Sequence, residues 1–578
     1  MNLAERFAQA KQLQSAGQID LAEEVYAQII AADPTSAAAL NQLAVIAFQR
    51  GESVRALDLL EWAVASKPDY AEAHYRRGMV NYALGRLEAC IASYGAVLAI
   101  RADITGAVFN RGIALQDLGR FDLALADYDA ALKLEPAHVG ALANRGYVLA
   151  NLNRADEAIA NLDLAVQLAP DHFEARVNRG YALERLNRFG PALAEFDAAL
   201  RLRPASAEAH INRGVVFQRR GDLDAALATF DAALAFEPAN VGARYNKGVT
   251  LLLKGELEAG WPLYESRWDL PGSPGRRTCP QPVWSGDVVL MGRTILLHAE
   301  QGYGDTLQFC RYASLIGEGA TVVLEVQPPL ARLMTTAPGV AQVVARGDAS
   351  PAFDVHCPLM SLPLALRTCL ATIPAVTPYL TADPADRTRW RERLAPVHGL
   401  RVGLVWAGNS YRDQLASAVF DARRSVSLAA LAPLGAVAGV SFVSLQKAGP
   451  AVQAPPPGLE LYDFTDELND FADTAALIEA LDLVISVDTA VAHLAGALAK
   501  PVWLLNRFDP DWRWLLDRDD SPWYPTLRQF RQPRYGDWES VIEQVVEALR
   551  RLAAGDRGEL QPRSARSRRR GRAAEQTS

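Results

Sequence analysis

The chain has 578 residues, 50% of them apolar and 22% charged, with a formal net charge of -8. That length exceeds a single hydrophobic core and calls for about two to four domains, and the acidic balance argues against general polyanion binding. Five cysteines without a Cys-x-x-Cys pair suit neither a disulfide framework nor a zinc site, and fit a reducing compartment. The opening MNLAERFAQAKQLQSAGQ lacks a charged-then-apolar leader, and no segment reaches a spanning length. A cytoplasmic location without a membrane span is the expectation.

Prolines at Pro34, Pro68, Pro136, Pro170, Pro204 and Pro238 are spaced by 34 residues or twice that, with Ala102 in the skipped slot. The same register places glycine at Gly78, Gly112, Gly146, Gly180, Gly214 and Gly248, and small residues from Ala22 and Ala56 to Ala226. A large residue follows four positions after each small one, from Tyr26 to Phe230, and a turn residue (Gly17, Gly51, Gly85, Gly119, Asn153, Asn187, Gly221, Gly255) opens each second run. This is the signature of a repeated helical hairpin: small residues let two helices approach, the larger side chain fills the gap, and proline ends the second helix. The pattern resembles the tetratricopeptide repeat over residues 1–270, about seven and a half units, and the resemblance implies an all-α superhelix with a concave groove.

Asn110, Asn144, Asn178, Asn212 and Asn246 each stand two residues before the packing glycine. Two helical steps rotate by about 200°, which directs these amides away from the partner helix and towards the groove. Such a column can hydrogen-bond an extended peptide while reading little of its sequence; the alternative is a tolerated, solvated asparagine. It resembles the asparagine ladder of the O-GlcNAc transferase repeat domain.

Beyond Trp268 the periodicity stops. Residues 271–290, rich in proline and glycine, read as a linker. Short β-rich runs then alternate with helical stretches: 293–298, 321–325, 340–344, 353–356, 401–406, 440–444, 483–487 and 501–505. This is the pattern of βαβ units, expected as two doubly wound halves over 291–398 and 399–550 that face one another across a cleft. The arginine-rich stretch 551–578 reads as a disordered tail.

Ligands of such sheets sit beyond the carboxyl ends of the strands. In SVDTAVAHLAGALAKPVWLL (486–505), a buried strand hands over to a helix at Asp488 and Thr489. The amides of Thr489, Ala490 and Val491 would be unpaired there and offer an anion site suited to a diphosphate; Asp488 could equally be a plain helix cap. The first half repeats the logic at ILLHAEQGYGDTLQFCRYASLI (295–316): Gly302 and Gly304 allow close backbone approach, and Asp305 stands at a helix start as cleft carboxylate or cap. No Gly-Lys-Ser/Thr loop follows, and no aspartate-x-aspartate motif stands where a metal-dependent fold would place one.

GYGDTLQFCRYASLI, VGLVWAGN, RRSVSLAALAPL, FVSLQK and DLVISVDTAVAHLAGALAKPVWLL together resemble the glycosyltransferase family of the ADP-heptose:lipopolysaccharide heptosyltransferases, over roughly residues 290–545. The resemblance implies a metal-independent GT-B fold of two Rossmann-like domains. It implies a nucleotide-sugar co-substrate with no other cofactor, Asp305 as catalytic base, and a donor site at Asp488, Thr489, Ala490 and His493 with Gly302 and Gly304. Arg424 and Lys447 are the basic residues it places near the donor phosphates. Repeats joined to such a domain also resemble O-GlcNAc-transferase-type proteins, which makes a polypeptide the expected acceptor and nucleic acid an unexpected partner. The competing reading is a repeat scaffold with a catalytically degenerate transferase-like domain.

Overall fold

The computed structural model describes residues 2–408, 421–447 and 453–562. They fall into two compact units, one ending at Pro204 and the other beginning at Ala205.

The first unit is a run of helical hairpins, from Leu3–Ser15 with Ile19–Ala32 through Phe173–Arg185 with Phe189–Leu202. The turn column behaves as the spacing requires: Gly17, Gly51, Gly85 and Gly119 take φ of 75, 82, 70 and 71°, and Asn153 and Asn187 take 61 and 59°. Asparagine replaces glycine there because its short polar side chain tolerates the left-handed region. Packing is as close as the pattern demands, since a Cβ on Gly180 would lie 2.7 Å from the Phe196 ring. A second ladder accompanies it. Arg111 bonds Asp127 at 2.8 and 2.6 Å, Arg145 bonds Asp129 at 2.7 Å, and Arg179 bonds Asp163 at 2.8 Å and Glu195 at 2.7 Å. Each of these arginines directly follows a ladder asparagine and ties its helix to the flanking ones.

The second unit opens with two more hairpins, Ala207–Arg220 with Leu223–Phe236 and Val241–Lys254 with Leu257–Tyr264. Two parallel sheets follow. The first comprises β1 (Thr294–His298), β2 (Thr321–Val326), β3 (Gln342–Ala345) and β4 (Val355–Pro358), in the order β3-β2-β1-β4. The second comprises β5 (Leu400–Val405), β6 (Val440–Ser444), β7 (Leu461–Asp463), β8 (Leu483–Val487), β9 (Val502–Asn506) and β10 (Leu527–Arg531), in the order β10-β9-β8-β5-β6-β7. Leu296 pairs with Val323, and Leu404 with Ile485, so the central strands carry the near-continuous apolar runs of sheets covered on both faces. The helices that bear on the site are α1 (Tyr303–Phe309), α2 (Phe471–Glu479) and α3 (Ala490–Ala497); α4 (Trp538–Ala553) covers the second sheet. Among the described residues no helix is long and apolar enough to cross a membrane.

Three expected boundaries shift. Residue 270 does not end a compact body, because the last two hairpins share a core with the first sheet: Leu252 and Trp261 belong to the same cluster as Leu297 and Leu324. Trp261 Nε1 donates to the Thr368 carbonyl at 2.9 Å, and Arg219 pairs with Asp509 at 3.1 Å in a buried ion pair. The stretch 271–290 is not a free linker either. Trp284 is buried and donates to the His356 carbonyl at 2.8 Å, laying the segment beside β4. Finally, the fold continues past residue 550: α4 runs to Ala553, and Glu559 is buried between Arg528 and Arg551. The remainder of the expected tail, from residue 563, lies outside the described residues.

Candidate active site

Strand β8 ends at Val487, and Thr489 caps α3 in an extended conformation (φ -141°, ψ 170°) without any side-chain bond to the helix amides. Its hydroxyl lies 3.1 Å from Ser486 Oγ instead. The amides of Ala490 and Val491 have no acceptor among the described residues, so the positive end of α3 is left open to an anion. Asp488 presents its carbonyl to Arg424 Nη1 at 3.0 Å. Burial and the nearby Asp511 charge push the Asp488 carboxyl up from its ordinary value, against the pull of Arg424.

His493, one turn into α3, stacks on Trp514 with ring centroids 5.3 Å apart. Its Nδ1 shares a hydrogen with the Tyr524 hydroxyl at 2.9 Å, and its Nε2 lies 4.0 Å from Asp488 Oδ1. Burial, helped by the charge of Arg513, lowers its pKa to about 3. The imidazole is therefore neutral near pH 7, a hydrogen-bonding group and not a cation for phosphate.

In the first sheet, β1 leads through Glu300 to Gly302 and Gly304. A Cβ on Gly304 would lie 2.9 Å from His493 Cδ2 and 3.6 Å from the Ala490 Cα, so α1 packs straight onto α3 and the two strand ends meet. Asp305 does cap its helix, accepting the Gly302 N–H at 2.9 Å through Oδ2. Its other oxygen accepts Arg513 Nη2 at 2.5 Å. Burial raises the Asp305 pKa, and Arg513 offsets part of that rise. Asp305 thus caps α1 with one oxygen and pairs with Arg513 through the other.

Of the two basic residues expected near the phosphates, Arg424 reaches the Asp488 carbonyl, held in place by Asp421 at 2.8 Å. A side chain on Gly408 would collide with that pair, so this glycine, three residues after β5, makes room for it. Lys447 is not brought to the site: its ammonium donates to the Leu468 carbonyl, and it touches neither Asp488 nor Thr489 among the described residues.

The sequence reading missed three groups. Arg513 bonds Asp511 at 2.8 Å and Gln308 at 2.9 Å besides Asp305, and lies over the Trp512 ring at 4.3 Å. Asp509 and Asp511 form an aspartate-x-aspartate pair after β9, each paired with an arginine: Asp509 with Arg219, Asp511 with Arg513. Glu300 is buried beside Arg267 (3.2 Å) and the Met360 amide (3.1 Å), and burial pushes its pKa up to about 7. The available signal was positional, because both stretches follow immediately on strand carboxyl ends.

The asparagine ladder is half-buried at all five positions. Asn110 Nδ2 donates to the Tyr75 hydroxyl at 2.9 Å, Asn178 Nδ2 to the Ala143 carbonyl at 3.1 Å, and Asn246 Nδ2 to the Gly242 carbonyl at 2.9 Å. Asn144 faces the Tyr128 hydroxyl. Three of these amides thus spend a donor on neighbouring helices or on their own. Asn212 shares the register and the half-buried setting.

Comparison with known proteins finds the repeats and one segment of the α/β part. The tetratricopeptide repeat model matches residues 7–61, 54–105, 109–173, 164–207, 177–240 and 211–268. The glycosyltransferase family 9 (heptosyltransferase) model matches residues 468–505, the stretch from α2 through β8 and α3 to β9. Protein FlbA of Caulobacter vibrioides is 30% identical over 325 residues, covering 51% of this chain and 52% of that protein, so the chain spans about half the length of this curated relative. Among solved structures, a tetratricopeptide repeat protein from Parabacteroides merdae is 17% identical with a TM-score of 0.37, covering 43% of this chain and 98% of that one. A thermophilic TPR protein from Thermus thermophilus is 22% identical with a TM-score of 0.29, covering 32% and 99%. The chain therefore carries tetratricopeptide repeats over residues 7–268, followed by an α/β part in which residues 468–505 match the glycosyltransferase family 9 model.

Proposed function

We propose that the α/β part transfers a sugar, without a metal ion, from a nucleotide-sugar to an acceptor, and that the acceptor is a polypeptide side chain held by the repeats. The observation that carries this reading is the meeting of the family 9 segment's open helix end, after Asp488, with Asp305 from the other sheet. In the reaction, the acceptor hydroxyl gives its proton to Asp305 and its oxygen bonds to the anomeric carbon. The bond from that carbon to the phosphate oxygen breaks, and the nucleoside diphosphate leaves with the electron pair. Its charge is met by the amide hydrogens of Ala490 and Val491 and by Arg424, groups already fixed before the charge develops.

The test is turnover of UDP-, GDP- and ADP-sugars by the full chain, with cell proteins as acceptors and mass spectrometry as readout. One donor should be consumed, and Asp305→Ala should slow consumption by about 10²- to 10⁴-fold with an unchanged circular dichroism spectrum. Equal rates in the two proteins would reject Asp305 as the base. A scaffold with a degenerate transferase draws support from one contact, since both Asp305 oxygens are occupied. Absence of both turnover and thermal stabilisation with every donor would favour it.

A further inference from the structure

We propose that Arg513 is a positioning residue that ties Asp305 to donor occupancy: without donor its guanidinium holds the Asp305 carboxylate, and a bound diphosphate draws it away and frees the base. This rests on the transferase reading. Arg513 sits on the short turn Trp512–Trp514 after β9, whereas Asp305 belongs to α1 of the other sheet, so their 2.5 Å contact joins the two halves. Both partners flank the open end of α3. Gly304, just before Asp305, packs on Ala490 and His493, and Trp514, just after Arg513, stacks on His493.

The guanidinium is bound through one hydrogen of each terminal nitrogen, to Asp305 and to Asp511, and through Nε to Gln308. Each terminal nitrogen carries a second N–H, and a planar fork suits the oxygens of a diphosphate. Asp511 and Gln308 can keep Arg513 anchored while the Asp305 bond is exchanged.

The charged and titratable groups facing Asp305 come from four elements. They are Arg513 and Asp511 after β9, Glu300 after β1, and Tyr245 and Tyr264 on the last hairpin, with His493 on α3 packed against the adjacent Gly304. Tyr264 and His493 are buried, Tyr245 is half-buried, and all three are neutral near pH 7. Arg513 is the strongest influence holding Asp305 ionised against burial. Its withdrawal raises the proton affinity of the carboxylate, so diphosphate binding takes up a proton.

The experiment is calorimetric titration of the full chain at pH 6 with ADP, GDP, UDP and CDP, in two buffers of different ionisation enthalpy. The expected result is one ligand bound with more proton uptake by the wild type than by Asp305→Asn. Arg513→Gln should match Asp305→Asn, and Arg513→Lys should recover part of the difference. Equal uptake by the wild type and Asp305→Asn, with normal binding, overturns the proposal and leaves the transferase reading standing. If Arg513→Gln does not fold, that comparison decides alone. Failure of all four ligands to bind overturns both.

Discussion

Asp305 caps α1 with one carboxylate oxygen and meets Arg513 with the other, and five residues earlier Glu300 carries a second buried carboxyl. The two should respond differently to change. The folded-state pKa of Glu300, about 7, lies above its ordinary 4.5 through burial, with Arg267 opposing the rise and Asp305 adding to it. Between those values the folded chain binds more protons than the unfolded one, so this carboxyl's contribution is greatest below pH 4.5 and is lost as pH rises through 7. Glu300→Gln should therefore melt above the wild type at pH 8.5 and lose that advantage at pH 4.5, by calorimetry at both values; a constant difference would refute the assignment. The placement of Asp305, Asp488 and His493 at strand-to-helix junctions was legible because such junctions concentrate polar residues between apolar runs. Arg513 was not, because nothing in a tryptophan-flanked arginine says which carboxylate it will meet across 208 residues. Lys447 misled for a similar reason: a flexible ammonium at a strand end takes the nearest carbonyl, here that of Leu468.

The repeat hairpins were readable as elements down to their turns, since a 34-residue register fixes packing glycine, large partner and left-handed turn residue together. Two strands of the α/β part escaped. Strand β7 has only three residues, at the sheet edge, too few to show a period. Strand β10 reads Leu-Arg-Gln-Phe-Arg, and Arg528 and Gln529 are buried because Arg528 meets Glu559 and Gln529 meets Asn506. A pattern based on hydropathy has no way to see such pairs. The α1–α3 contact gives the sharpest expectation at this scale. Gly304→Val would push a branched side chain into His493 and Ala490, costing about 1–3 kcal/mol. Urea denaturation should show that loss, and donor binding should weaken with it; a neutral result would place α1 elsewhere.

At the scale of the molecule, the sequence marks a boundary where the helical period ends, near residue 270, whereas the compact unit begins at Ala205. Periodicity reports local structure, but the core is set by what the last hairpins bury: Trp261 against Trp512 at 5.3 Å, Tyr264 against the same ring at 5.9 Å, and the Arg219–Asp509 pair. Removing one partner of a buried ion pair costs about 3–5 kcal/mol. A chain starting at Ala205 should therefore melt cooperatively, and one starting at residue 271 should not. Equal cooperativity in the two would show that the last hairpins are dispensable to the α/β fold.

The proposed diphosphate site can be probed by deleting a single N–H. Ala490 is the first residue of α3, a position where proline is tolerated, and the extended Thr489 before it suits a following proline. Titration of the full chain and of Ala490→Pro with UDP-, GDP- and ADP-sugars should find one donor that binds the wild type and binds the variant at least about tenfold more weakly. The ligand-free melting temperature should stay the same. Equal affinity in both proteins, or no binding by any donor, would show that no diphosphate rests on the amides after Asp488.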